Sequence, residues 1–191
     1  ACKMCLEPVR KVVFTLYGSF SKTYHGHGTD RALLGGILGF HTDDARIRDA
    51  FEWAEKMGVE YEFVIDEETK TDHPNTADMD ITGVNGYRLS VRGESIGGGK
   101  IKIVRINGID VEFTGEYSTL IVRQIDKPGV VAHITQCLSK EEVNIAFMRL
   151  FREDKGATAF TVVESDEQIP EEILAEIQKN EHVQDLMLVQ M

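Results

Sequence analysis

The spacing of apolar positions divides the chain into elements. Residues 10–18, "RKVVFTLYG", are rich in β-branched and aromatic side chains and end on a glycine, so they read as a strand. A glycine-rich stretch follows. Leu33, Leu34, Ile37 and Leu38 then recur at helical spacing, with Thr29 or Asp30 as the expected N-cap. "TDDARIRDAFEWAEKMG" predicts a second helix, capped by Thr42 or Asp43 and ended by Gly58, with Ile47, Phe51, Ala54 and Met57 on its apolar face. "VEYEFVID" alternates as a strand. The polar run "TKTDHPNTADMDITG" becomes a strand near Ala77. "YRLSVRGESIGGGKIKIVRINGIDVEFTG" reads as three strands, turning at "GESIGGG" and at Asn107-Gly108.

From Tyr117 the pattern changes. "YSTLIVRQI" is a strand, "DKPG" a turn with Pro128 at the first helical position, and "VVAHITQCLSKEE" a helix. Two strands, "VNIAFMRLFRED" and "GATAFTVVES", precede the helix "IPEEILAEIQKN" and a last strand, "VQDLMLVQM". The order βαββαβ is that of a ferredoxin-like domain. Two α+β domains follow, 1–115 and 117–191, with a boundary near 115–117.

Composition narrows the classes of partner. The 191 residues carry 21 Lys and Arg against 32 Asp and Glu, a net charge of −11. That balance argues against nucleic acid or an anionic membrane surface as the main partner. No apolar run approaches the length of a membrane span, and the N-terminus lacks the apolar core of a secretory signal. Three cysteines, Cys2, Cys5 and Cys137, make no disulfide framework and fit a cytoplasmic setting. Cys2 and Cys5 form a single terminal C-x-x-C, for which packing and redox or metal work both stand. The abrupt opening, "ACKMCLEPVRKVVF", reads as a helix end running into a strand, so a preceding segment is expected.

The candidate chemistry sits in three loops. "HGHGTD", residues 25–30, sets His25 and His27 among glycines just before a helix. A metal would need more ligands than these two. The glycines match neither common phosphate-binding pattern. Acid–base work, with Asp30 orienting the His27 ring, stands beside a plain turn carrying surface histidines. "DHPN" places His73 and Asn75 around Pro74, which stiffens the loop and biases His73 toward extended backbone. In "IDKPGVV", Gly129 permits close approach to the amides of a helix start, where a carboxylate ligand is favoured, and Asn144 would add a side-chain amide. Ordinary capping explains the same residues.

"DKPGVVAHITQCLSKEEVNIAFMRL" resembles the start of an ACT domain, over residues 117–191. The resemblance implies binding of a small amino-acid effector where ACT domains pair between chains, at Gln124, Asp126, Gly129, Val130 and Asn144. Related serine sensors carry His-x-Asn where this chain has Gln124 and Asp126. "YGSFSKTYHGHGTDRALLGGILGF" and "HPNT" resemble the β subunit of bacterial iron–sulfur-dependent L-serine dehydratase, which converts L-serine to pyruvate and ammonia. That likeness implies an allosteric-substrate-binding-like first domain, lacking the usual "GPSSSHT"-like segment. It implies an α-subunit partner that carries the [4Fe–4S] cluster, so no metal site and no cofactor are expected on this chain. His27, His73 and Asn75 would be contributed to the α-subunit active site. The alternative is a free-standing amino-acid sensor with no catalytic partner.

Overall fold

The computed structural model describes residues 4–152 and 154–190; Cys2 of the C-x-x-C lies outside them. The chain divides into two compact units between Gly108 and Ile109.

In the first unit, β1 (Val9–Tyr17), β2 (Glu60–Asp66), β3 (Thr76–Gly83), β4 (Arg88–Gly97) and β5 (Lys100–Ile106) lie in the order β2-β1-β3-β4-β5. β1 and β2 are parallel, with Lys11 opposite Glu60 and Tyr17 opposite Asp66; the remaining neighbours are antiparallel. A parallel pair needs a long crossover. Here it holds α1 (Gly18–Thr23), α2 (Thr29–Ile37), a 3₁₀ turn (Ala45–Asp49) and α3 (Ala50–Met57). Side chains alternate across the sheet. Val12, Phe14 and Leu16 of β1 are fully buried, as are Leu34, Ala50 and Ala54 of the crossover. Phe14 stacks on Phe63 at 4.7 Å, and Phe63 meets Phe51 of α3 edge-on. On the opposite face Arg92 grips Asp78 with two donors, 2.6 and 2.7 Å, and Tyr17 donates to the same carboxylate at 2.8 Å. Desolvation raises the Tyr17 pKa above its usual value, and the Asp78 carboxylate adds to the rise.

Several local expectations change. α1 has no apolar period and falls in the glycine-rich stretch, to which no element was assigned. The N-cap of α2 is Gly28, at φ 69°, and neither Thr29 nor Asp30 caps it. Asp44, rather than Thr42 or Asp43, starts the next helical stretch by accepting the Arg46 amide. Met57 is 53% exposed and leaves the core, while Gly58 ends α3 as expected, at φ 70°. β4 runs on through Gly97, so only Gly98 and Gly99 turn the chain into β5. Asn107 and Gly108 both take positive φ, 49° and 85°, as a two-residue hairpin turn requires.

The second unit opens with β6 (Ile109–Phe113), so the division between the units falls before that strand and the expected boundary after it. It continues with β7 (Ser118–Ile125), α4 (Val130–Lys140), β8 (Phe147–Arg152), β9 (Thr158–Ser165), α5 (Glu172–Ile177) and β10 (Val183–Val189). The sheet order β10-β7-β9-β8, antiparallel throughout, gives the ferredoxin-like βαββαβ arrangement that the periodicity predicts. Leu120, Val122 and Val163 from the sheet bury against Ile134, Leu138 and Ile173 from the two helices. Burying a side chain of this size is worth roughly 1.5–3 kcal/mol, so this layer accounts for much of the unit's stability.

Candidate functional site

β1 ends at Tyr17 and the chain turns at once into α1. Gly18 makes that turn at φ 55°, a conformation that favours glycine. The Ser19 amide, at the start of α1, donates to Pro74 O at 2.6 Å. The His73–Asn75 loop is thereby fixed to the end of β1. Its other carbonyls are also taken. His73 O accepts from the hydroxyls of Thr71 and Thr76, at 2.7 and 2.6 Å, and Asn75 O accepts the Ser95 amide of β4 at 2.9 Å. The Asn75 amide donates to His73 Nδ1 at 3.2 Å. Both side chains are half-buried.

The second loop, residues 24–28, joins α1 to α2. Thr29 N donates to Tyr24 O, and His27 N to Thr23 O, so the glycines wrap one tight turn. Asp30 is almost fully buried. Its Oδ2 lies 2.7 Å from Nδ1 of His25, whose own side chain is 81% exposed. The expectation that Asp30 steers His27 is therefore corrected: the carboxylate orients His25. His27 instead lines a cavity of about 520 Å³ beneath α2, with Thr29, Glu94 and Ser95 at its polar side and Leu33, Ile37 and Ile103 among its apolar walls. Ser95 links the two loops, for it lines this cavity while its amide holds Asn75.

Of the expected effector residues, Gln124 and Val130 are buried and Asp126 is held by an ion pair. Gln124 is 1% exposed and its Oε1 accepts from Thr161 Oγ1, while Val130 belongs to the core. Asp126 accepts from Arg152 Nη1 at 2.7 Å and from the Gly156 amide, and the hydrogen bond from Arg152 holds its carboxyl below the usual range. Gly129, at φ 92°, is the N-cap of α4; Pro128 thus stands outside the helix, not at its first position. Asn144 is exposed, precedes β8 instead of opening it, and lines an open recess with Thr135, Ser139 and Glu142.

The sequence is similar over most of its length to two curated proteins. It is 40% identical over 173 residues to the probable L-serine dehydratase, beta chain, of Bacillus subtilis, covering 91% of this chain and 77% of that one. It is 41% identical over 167 residues to the L-serine dehydratase, beta chain, of Peptoniphilus asaccharolyticus, covering 87% and 75%. The chain belongs to the serine dehydratase beta chain family. That family's model matches residues 2–89, and the ACT domain model matches residues 118–182. A more distant similarity, 25% identity over 90% of this chain and 32% of the other, is to D-3-phosphoglycerate dehydrogenase of Bacillus subtilis.

The residues that sequence reading missed are those that fix the loops: Thr71 and Ser95 belong to no motif, and Thr76, the last residue of "HPNT", was not singled out. Among the described residues, no group of three or more His, Cys, Asp or Glu side chains is arranged to hold a metal ion, and no helix is long and apolar enough to cross a membrane. Cys137 is buried in α4, where desolvation raises its thiol pKa.

Proposed function

We propose that this chain is the β subunit of an L-serine dehydratase of the cytoplasm and supplies His27, His73 and Asn75 to an active site shared with an α subunit. The observation that carries the reading is the pinned "HPN" loop. Three successive carbonyls are held by four protein donors, so the backbone that carries the His73 and Asn75 side chains is fixed in place.

The reaction removes the α-proton and the hydroxyl of L-serine, and the resulting enamine becomes pyruvate and ammonia by way of its imine and water. A [4Fe–4S] cluster on the α subunit would supply Lewis-acid chemistry at the substrate hydroxyl. The described residues of this chain do not form a ligand set for it. This chain's part is to orient the amino acid and to close the site. His27, exposed at the cavity mouth, can exchange protons with a bound amino acid. Asn75 offers both a donor and an acceptor to the substrate's charged groups.

The ACT unit would pair with its copy in a second chain along β8, one of the two edge strands of its sheet, where Leu150 is 43% exposed. A small amino-acid effector would then enter near Asn144, at the exposed recess.

Co-expression with an α chain tests the reading. Co-purification and formation of pyruvate from L-serine are expected, with no activity from this chain alone. A chain that neither binds an α partner nor supports pyruvate formation would instead be a free-standing sensor.

A further inference from the structure

The subunit reading leaves open what the His73 imidazole does, and the hydrogen bonds around it bear on that question. The Asn75 amide donates to His73 Nδ1 at 3.2 Å, so that nitrogen presents a lone pair and carries no hydrogen. The neutral ring's proton is then on Nε2. We propose that His73 acts as a hydrogen-bond donor, through Nε2–H, to an oxygen of the amino-acid substrate, and that it is not the base that takes the α-proton. The inference rests on the subunit reading above.

The argument is one of tautomers. A histidine that accepts a proton at Nε2 needs its hydrogen on Nδ1, and a partner there to receive it. The partner at Nδ1 of His73 is an N–H, which would meet that hydrogen head-on. Rotating the ring away would give up the bond while the loop itself stayed fixed. Thr71 and Thr76 hold His73 O, and Ser19 holds the next carbonyl. Those residues are positioning residues: they set the backbone on which the Nδ1 bond depends. A donor held in advance where an oxygen gains negative charge stabilises a transition state without reorganising.

Three substitutions separate the possibilities in the assembled enzyme, each shown by co-purification to remain in the complex. His73→Gln places an amide N–H about where Nε2–H was and has no acceptor for the Asn75 amide. His73→Asn keeps an acceptor near Nδ1 and loses the distant donor. His73→Ala has neither. The donor role predicts that Gln retains activity within about tenfold, while Asn and Ala lose on the order of 10²-fold in kcat. Comparable large losses in all three would make His73 a proton-transfer group and overturn the proposal. Rescue by Asn but not Gln would reduce the ring to a brace for its own loop, and would overturn it also. Wild-type activity in all three would remove His73 from the site, while pyruvate formation by the complex would leave the subunit reading standing. The tautomer has its own readout, free of any partner. In ¹⁵N NMR of the full chain the neutral His73 ring is expected to carry its proton on Nε2. A proton on Nδ1 would overturn the proposal whatever the kinetics.

Discussion

Gly18 and Pro74 approach so closely that no side chain fits between them: a Cβ on Gly18 would lie 2.5 Å from Pro74 O. Gly18 also holds φ 55°, so an added methyl meets backbone at one side and an unfavourable dihedral at the other. Gly18→Ala is expected to push the "HPN" loop off α1. The cost should be about 1–3 kcal/mol, the range of a strained backbone site. In a chain of this size that lowers Tm by roughly 2–4 °C per kcal/mol. Calorimetry on the chain alone gives the stability change. KM for L-serine in the complex should rise as well, since the loop is the part displaced. A variant with unchanged Tm and unchanged KM would show that the contact is dispensable.

The two histidines of "HGHGTD" should separate by experiment. His25 is bonded to a nearly buried carboxylate, so His25→Ala leaves Asp30 without its side-chain partner. With His25 itself mostly in solvent, the loss should be modest, about 0.5–1 kcal/mol, and seen in Tm. His27 lines the cavity and is exposed. His27→Ala should leave stability within about 0.5 kcal/mol and lower kcat of the complex by ~10²–10⁴-fold. Measuring both quantities on both variants checks the assignment, and the reverse pattern would exchange the two roles.

How far the sequence reveals this arrangement depends on whether a feature is local. The βαββαβ order was legible because each element of the second unit carries its own apolar period, as Ile134, Cys137 and Leu138 do in α4. The crossover of the first unit was half legible. α1 is six residues of Gly, Ser, Phe, Lys and Thr with no apolar face, and it contacts β1, β2 and β3, none of which its own sequence announces. The partner of Asp30 was misjudged for a related reason. Three residues is a helical spacing, but His27 precedes the helix, and the turn around Gly26 and Gly28 carries His25 to the carboxylate instead. The "HPN" residues were picked out by resemblance, whereas their anchors come from Ser19, Thr71 and Ser95, two of them distant in sequence. The surroundings of Gln124 are a further case of the same limit. Gln124 looks like a ligand-binding amide in the sequence, and its burial against Thr161 emerges only once β7 and β9 pair.

Pairing through the ACT unit should depend on β8. Leu150 is exposed on that edge strand and Phe147, 45% exposed, packs edge-on against Tyr117. Leu150→Lys adds a charge to the edge without touching the core, a means by which edge strands avoid association. The substituted chain should be monomeric by light scattering at concentrations where the native chain is dimeric. A native chain that is already monomeric at tens of micromolar would refute pairing at this edge.

Glu164 gives the second unit a pH dependence whose sign can be worked out. It lies on β9, 5% exposed, and desolvation raises its pKa above the ordinary glutamate value of 4.5, only partly offset by the nearby Arg149 charge and a hydrogen bond from the Thr114 amide. An acid whose folded pKa is raised holds its proton longer when folded than when unfolded. Folding is therefore favoured most below the unfolded value, and stability falls as pH climbs from there through the folded pKa. Above that range the protein carries the full penalty of an ionised, buried carboxylate. Glu164→Gln removes the ionisation and keeps an oxygen for the Thr114 amide. The variant should thus be more stable than the native chain at pH 7, and the difference should shrink as the pH is lowered toward 4. Thermal unfolding of both chains across that range provides the measurement. If the native chain is the more stable at pH 7, the attraction of Arg149 outweighs desolvation and Glu164 belongs with the stabilising ion pairs.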